Sequence, residues 1–188
     1  MVQYWGCDMS KCIQCGKPAK VNLSDGTGGT NGSLCYDCFN RRMAEEYAVV
    51  MPENVPETLS FKGRGKKVHV FDIEFMIFGT GKSLVATEIG ETNRMVDVWG
   101  DLDDDFDAML DLLNRRIKKS LNVRYMDAKG KIKGDKAAGY ISYNREREAY
   151  DVIIDGKPYL WDGLEKEISM REGWKIKIEF GSNGVYFD

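Results

Sequence analysis

Hydrophobic and polar positions change period along the chain, and each change predicts a different element. From Val68 to Phe78 apolar residues alternate with polar ones, Val68, Val70 and Phe71 entering and Ile73, Phe75 and Ile77 continuing one face, which predicts a strand. Leu84 to Ile89 and Met95 to Trp99 predict two more strands, separated by the turn-rich Gly90 to Asn93. Connections this short favour an antiparallel meander. The period then lengthens: Phe106, Met109, Leu110, Leu113, Ile117 and Leu121 recur at helical spacing. Acidic residues crowd the first turn of that helix, and Arg115, Arg116, Lys118 and Lys119 crowd the last. Each group complements the end of the helix dipole beside it, for roughly 0.3–1 kcal/mol per well-placed charge. Asn122 to Met126 reads as a strand leaving the helix, and Lys129 to Gly134 as an exposed basic turn. Ala138 to Tyr143 and Tyr150 to Ile154 predict strands, Asp155 and Gly156 a turn, and Trp161 to Met170 a short helix. Trp174 to Phe180 alternates strictly, Ile176 and Ile178 on one face, as a half-buried antiparallel strand does. Gly181 to Asp188 adds a last edge or frays.

Upstream of these periodic segments the informative residues are cysteines. Two Cys-x-x-Cys pairs, Cys12 with Cys15 and Cys35 with Cys38, have nineteen residues between them. Each pair can deliver two sulfurs to one metal from a tight turn, and the spacing lies in the window of four-thiolate structural zinc sites. The alternatives are a disulfide pair or a redox motif, and the latter needs one pair beside a βαβ pattern rather than two matched pairs. Cys7 is left over, as a free thiol or a replacement ligand. Gly16 follows the first pair, a glycine-rich stretch from Asp25 to Gly32 sits midway, and Leu34 to Cys38 opens a helix-compatible run from Phe39 to Tyr47. Knuckle, hairpin and helix N-terminus in that order resemble a treble clef finger. Tyr4 and Trp5 are expected to cap its small core, and its fold and zinc affinity are expected to be one free energy. Pro52 and Pro56 forbid a continuing helix and mark a linker.

The predicted fold class is therefore α+β: an N-terminal treble clef zinc finger, then an antiparallel-sheet domain with one long and one short helix. Residues 1–50 are the finger, 51–67 the linker, and 68–188 the α+β domain, divided into a meander plus helix (68–127) and a closing β-rich module (137–180). The linker has little with which to fix one module on the other, so residues from about 60 onward are expected to fold without the finger. With 188 residues, 43% hydrophobic and 30% charged, the chain has the composition of an ordinary globular protein. No apolar run is long enough to span a bilayer and Met1 to Lys11 is not a signal peptide, so no membrane and a cytoplasmic location are expected. Five cysteines without a disulfide framework fit the same reducing compartment. A net charge of −3 argues against a dominant nucleic-acid surface while leaving room for a local basic patch.

Other candidate chemistry is thinner. Lys62, Arg64, Lys66 and Lys67 form a short basic, glycine-rich stretch that reads as a solvated loop or as a contact for phosphate or an acidic partner. His69 is the only histidine, which excludes histidine pairs and favours a structural role. Gly79 to Ser83 imitates the tail of a phosphate loop, but Met76 stands where the leading glycine belongs, so a hairpin turn is expected. Asp101 to Asp107 begins like a calcium loop, but Phe106 and Leu112 replace the glycine and the glutamate it needs, and a helix start explains the acids better. No nucleophile with a paired base is visible, although carboxylates such as Glu74 and Glu88 could converge in the fold.

Lys11 to Ala19 with Leu34 to Cys38, the sheet from Phe71 to Trp99 with its Asp-rich helix start, and the closing Ile153 to Lys157, Trp161 and Glu172 to Trp174 together resemble a family of bacterial finger-headed proteins with no assigned activity. The resemblance covers most of the chain. It implies the same architecture and a zinc ligand set of Cys12, Cys15, Cys35 and Cys38, and it supplies no substrate. The finger alone also resembles those of GATA-type DNA readers and the N-terminal module of Clp-type unfoldases, of which one class binds DNA and the other protein.

The leading functional reading is an intracellular interaction or adaptor protein with one structural zinc, its partner a protein or a second copy of itself. The alternative is a nucleic-acid-binding regulator using Arg41 and Arg42, with Lys17 and Lys20, at the finger and Lys62, Arg64, Lys66 and Lys67 in the linker. Its weakness is that Asp37, Glu45 and Glu46 share the finger helix with the arginines. An enzyme whose site does not show in the sequence is the third.

Overall fold

A computed structural model describes residues 11–24, 30–63, 67–90 and 94–173. Tyr4, Trp5, Cys7, most of the turn from Asp25 to Gly32, Arg64, Lys66, the end of the Gly90 to Asn93 turn, and the alternating segment from Trp174 with its tail lie outside the described residues.

Within them the chain is α+β, with antiparallel sheets and three helices. In order these are β1 (Val21–Ser24), β2 (Thr30–Leu34), α1 (Tyr36–Tyr47), β3 (Thr58–Lys62), β4 (Val68–Phe78), β5 (Gly81–Glu88), β6 (Met95–Gly100), α2 (Phe106–Asn122), β7 (Gly139–Asn144), β8 (Ala149–Ile154), β9 (Lys157–Tyr159) and α3 (Trp161–Ser169). They make a β1-β2 hairpin, a β3-β4-β5-β6 sheet and a β7-β8-β9 sheet. The chain divides into two compact units, 1–55 with 74–84 and 99–109, and 56–73 with 85–98 and 110–188, so that β4, β5, β6 and α2 each contribute residues to both.

In the first unit the cysteine-bearing segment does not make its core alone. Cys12, Val21, Leu34, Cys35, Cys38 and Phe39 are buried in one cluster with Met76 of β4, and Phe78 packs against it. Asn40 of α1 is buried too. Its Nδ2 donates to the Phe75 carbonyl at 2.7 Å, and its Oδ1 accepts from the Ile77 amide at 3.0 Å. That strand edge is paired by a side chain instead of by another strand. Phe75 meets Phe106 edge-on at 5.3 Å, and Phe78 stacks on Trp99 at 5.5 Å. The turn between β4 and β5 is Gly79 with Thr80, followed by Gly81 at φ +149°, where a Cβ would lie 2.4 Å from the Gly100 carbonyl oxygen. The glycines that imitate a phosphate loop therefore serve a hairpin and a close approach of backbone to backbone. The Asp-rich stretch starts α2 as expected: Asp105 Oδ1 accepts from the Ala108 amide at 2.8 Å, the bond of an N-cap.

In the second unit β3 was not expected from the sequence. It pairs antiparallel with the first half of β4, Phe61 opposite His69, and Phe61 meets Phe71 edge-on at 5.9 Å. The expected face of β4 is partly corrected: Phe71, Ile73, Phe75 and Ile77 are buried, but Val68 is exposed and His69 takes the inward position at that end. On α2, Leu113, Ile117 and Leu121 are buried in this unit, continuing at intervals of four the stripe that Met109 begins in the first. The strand expected over Asn122 to Met126 is not formed. α2 continues through Asn122, and only Met126 makes an isolated bridge, to Ile132. The amides of Tyr125 and Met126 are taken by the Asp155 carboxylate, at 2.9 Å each, so they need no strand partner. Asp155 and Gly156 form the expected turn, at φ 54° and 78°, the left-handed pair that a two-residue hairpin requires.

Candidate metal centre

Two local structures bring the four cysteines together. In the first, the Gly16 amide closes back on the Cys12 carbonyl at 2.9 Å and the Cys12 amide donates to the Lys17 carbonyl at 2.8 Å. Gly16, at φ +74°, lets the chain turn away immediately after Cys15. In the second, Cys35 is the N-cap residue of α1 and Cys38 lies in its first turn. The Ile13 amide bonds to the Ser33 carbonyl at 3.0 Å, which fixes the knuckle against β2.

The four Sγ atoms lie within 4.8 Å of one another; Cys12, Cys35 and Cys38 are buried and Cys15 is exposed. Cys15 Sγ and Cys35 Sγ are 3.6 Å apart, and all four thiols are free. A disulfide would need about 2.0 Å. Four sulfurs at about 2.3 Å from one tetrahedral ion would stand about 3.8 Å apart, so these four could hold a metal ion.

The thiols do not share charge evenly. Burial works to raise the pKa of Cys12, but backbone amides at Cys35, Cys15 and Gln14 stabilise its thiolate and bring it down to about 6. Cys38 is pushed up to about 12 by burial and by the other three sulfurs, and Cys35 is raised by burial first. Cys12 is thus held toward the thiolate while Cys35 and Cys38 are held toward the thiol, as burial and neighbouring sulfurs require.

The basic residues singled out in the sequence divide between the two units. Lys17 is ion-paired with Asp37 at 2.9 Å, both exposed. Arg41 and Arg42 are exposed on α1, as are Glu45 and Glu46. Lys62 and Lys67 are exposed in the second unit, on either side of the Gly63 amide bond to the Lys67 carbonyl, while Arg64 and Lys66 fall outside the described residues.

A second polar cluster was only half visible in the sequence. His69 Nδ1 lies 2.5 Å from Glu88 Oε1, and Arg94 Nε donates to Glu88 Oε2 at 3.2 Å, all three residues being buried. Arg94 also donates to the carbonyls of Ser120, at 2.6 Å, and Asp155, at 3.2 Å. A Cβ on Gly63 would fall 2.4 Å from His69 Nε2, so backbone lies against the second ring nitrogen. This arrangement clamps β4, β5, the end of α2 and the β8-β9 turn to one another, and it gives a substrate no approach to the imidazole through that side. Lys82, the lysine of the false phosphate loop, is buried and donates its ammonium to the Asp104 carbonyl.

Fold and site together define an α+β protein headed by a four-cysteine cluster able to hold a metal. Three family models match it in succession, each described as a domain of unknown function: DUF7685 over residues 11–49, DUF7686 over 53–122 and DUF7713 over 124–182. No curated protein and no solved structure matches the chain. Among the described residues no helix is long and apolar enough to cross a membrane.

Proposed function

We propose that Cys12, Cys15, Cys35 and Cys38 bind one structural zinc in a treble clef finger, and that the protein is a zinc-stabilised intracellular interaction protein. The observation that carries this is the approach of four free sulfurs to within 4.8 Å. A dication would neutralise the crowding that raises the Cys38 thiol, and four thiolates leave it no open position for substrate. The ion would therefore serve the fold, in a compartment that keeps thiols reduced.

Metal analysis of freshly purified protein is the test, with one zinc per chain and four sulfurs in the first shell as the expected result. Cys35→Ser should lose both the metal and the structure of residues 11–49. A stoichiometry near zero, or a nitrogen or oxygen ligand from the protein or water, would overturn the structural zinc.

For the finger's own partner, protein is favoured over duplex DNA. Arg41 and Arg42 are opposed by Glu45 and Glu46 on the same helix, and Lys17 is already paired. Duplex binding through phosphate contacts should be weak at about 150 mM salt, whereas association through apolar area is little affected by screening. A tight, sequence-selective shift of duplex DNA, abolished by Arg41→Ala with Arg42→Ala, would reverse that order.

A further inference from the structure

The β7-β8-β9 sheet is covered at one end of one face and open at the other. Its register places Tyr143 opposite Tyr150, Ile141 opposite Val152, and Val152 opposite Tyr159, so these side chains share a face. Met126, Ile132 and Leu164 cover the end with Ile154, Val152 and Tyr159. At the other end Ile141, Tyr143 and Tyr150 are 51%, 50% and 60% exposed, far more than a packed sheet face leaves. The two tyrosine rings meet edge-on at 5.1 Å.

The open end is tied from behind by hydrogen bonds. Asp151, on the opposite face and only 3% exposed, accepts from Asn144 Nδ2 at 3.2 Å and from the Arg147 guanidinium, and the Arg147 amide donates to Asn144 Oδ1 at 3.1 Å. This network closes the hairpin tip immediately beyond the tyrosine pair, so the rings stand on a braced support.

The basic turn lies on the same face, against Tyr159 at its covered end. A Cβ on Gly130 would lie 3.6 Å from the Tyr159 ring, which places the turn between Met126 and Ile132 on the same face as the tyrosines. Tyr150 is one strand across and two residues along from Tyr159, about 8 Å by sheet spacing. Lys129 and Lys131 flank Gly130, Lys133 follows, and all three are exposed. The carboxylate within the turn, Asp127, is engaged by the amides of Lys129 and Lys131 at 2.8 and 2.9 Å. Glu146 and Glu148 at the hairpin tip oppose an anion and should keep affinity modest.

We propose that this face binds single-stranded nucleic acid, bases stacking on Tyr143 and Tyr150 and phosphates running toward Lys129, Lys131 and Lys133. Stacking needs only an exposed π-face, and phosphate contact needs only cations beside it, so recognition would be tolerant of sequence. A duplex hides its base faces and would gain only the lysine contacts. The inference goes beyond the zinc-stabilised interaction role and does not rest on it. Metal analysis decides that role, and the oligonucleotide assay decides this one.

The full chain is titrated into fluorescein-labelled dT20 or U20 and followed by fluorescence anisotropy. Binding is expected at 50 mM salt, with affinity falling about 20-fold by 200 mM if three phosphates are neutralised. Tyr143→Leu with Tyr150→Leu keeps an apolar surface without rings and should weaken binding about tenfold or more. Replacing Lys129, Lys131 and Lys133 by Gln should flatten the salt dependence; these side chains are exposed, so this variant carries the test if the tyrosine variant misfolds. Three results would overturn the proposal: no anisotropy change with either strand at 50 mM salt, binding that the foldable variants leave intact, or a 20-base-pair duplex bound as tightly as dT20. A dimer in sedimentation velocity that the tyrosine substitutions dissociate would also overturn it, and would reassign the face to self-association.

Discussion

Asn40 sits among charged neighbours on α1 with 4% of its surface exposed, its amide divided between the Phe75 carbonyl and the Ile77 amide. Truncation to alanine leaves two buried backbone groups unpaired, at about 1–3 kcal/mol each. Asn40→Ala is therefore expected to lower stability by about 2–6 kcal/mol, read as a shift in urea midpoint. Nothing in the local sequence announced this residue, because its partners lie some 35 positions away and a lone Asn in a polar helix looks solvated. The cysteines are the opposite case, legible because ligand spacing is local. Their titration gives a second prediction. Cys12, depressed to about 6, contributes stability that is present above its ordinary value near 9 and lost as pH falls through 6. Cys38, raised to about 12, contributes stability that is present below 9 and lost as pH rises toward 12. Neither contribution replaces the ion, so metal-free protein should lack finger structure in circular dichroism across that range. Zinc-loaded protein should hold from neutral into alkaline pH and fail only in acid, where protons compete for the thiolates.

Elements whose pattern is strong were read with small errors. β4 spans Val68 to Phe78 as its alternation indicates, and α2 starts at Phe106 as its acidic turn indicates. Asp105 caps that start, and Asp105→Ala should cost about 1 kcal/mol in thermal or chemical melts without altering metal content. β3 was hidden because Thr58 to Lys62 is short, alternates between exposed and half-buried positions and is flanked by prolines and glycines, so its strand character comes from pairing with β4. The segment after α2 failed in the other direction: Asn122 to Met126 read as a strand, yet the amides of Tyr125 and Met126 are bound by Asp155, a side chain about 30 positions away. Periodicity reports which face is apolar, and it is silent on who supplies the hydrogen bonds.

At the scale of the molecule, the α+β class was legible, and the two-part contact structure was not. Against the expectation that residues from about 60 onward fold without the finger stand Asn40 and Met76, which place the middle of β4 in the finger's core and motivate a direct test. A chain beginning at Glu57 should be destabilised relative to the full protein, with Met76 and Phe78 uncovered and two strand-edge groups unpaired. Comparison of the two by hydrogen exchange should show the loss concentrated at Glu74 to Phe78, and equal protection there would restore the independent body. The same two bonds bear on inheritance and on grafting. Another finger with the same cysteine spacing would not complete this sheet unless its helix carried an amide two positions after the fourth cysteine. Chimaeras that exchange the finger alone should fail where those that exchange finger and hairpin together succeed, and lineages should vary the two as a pair.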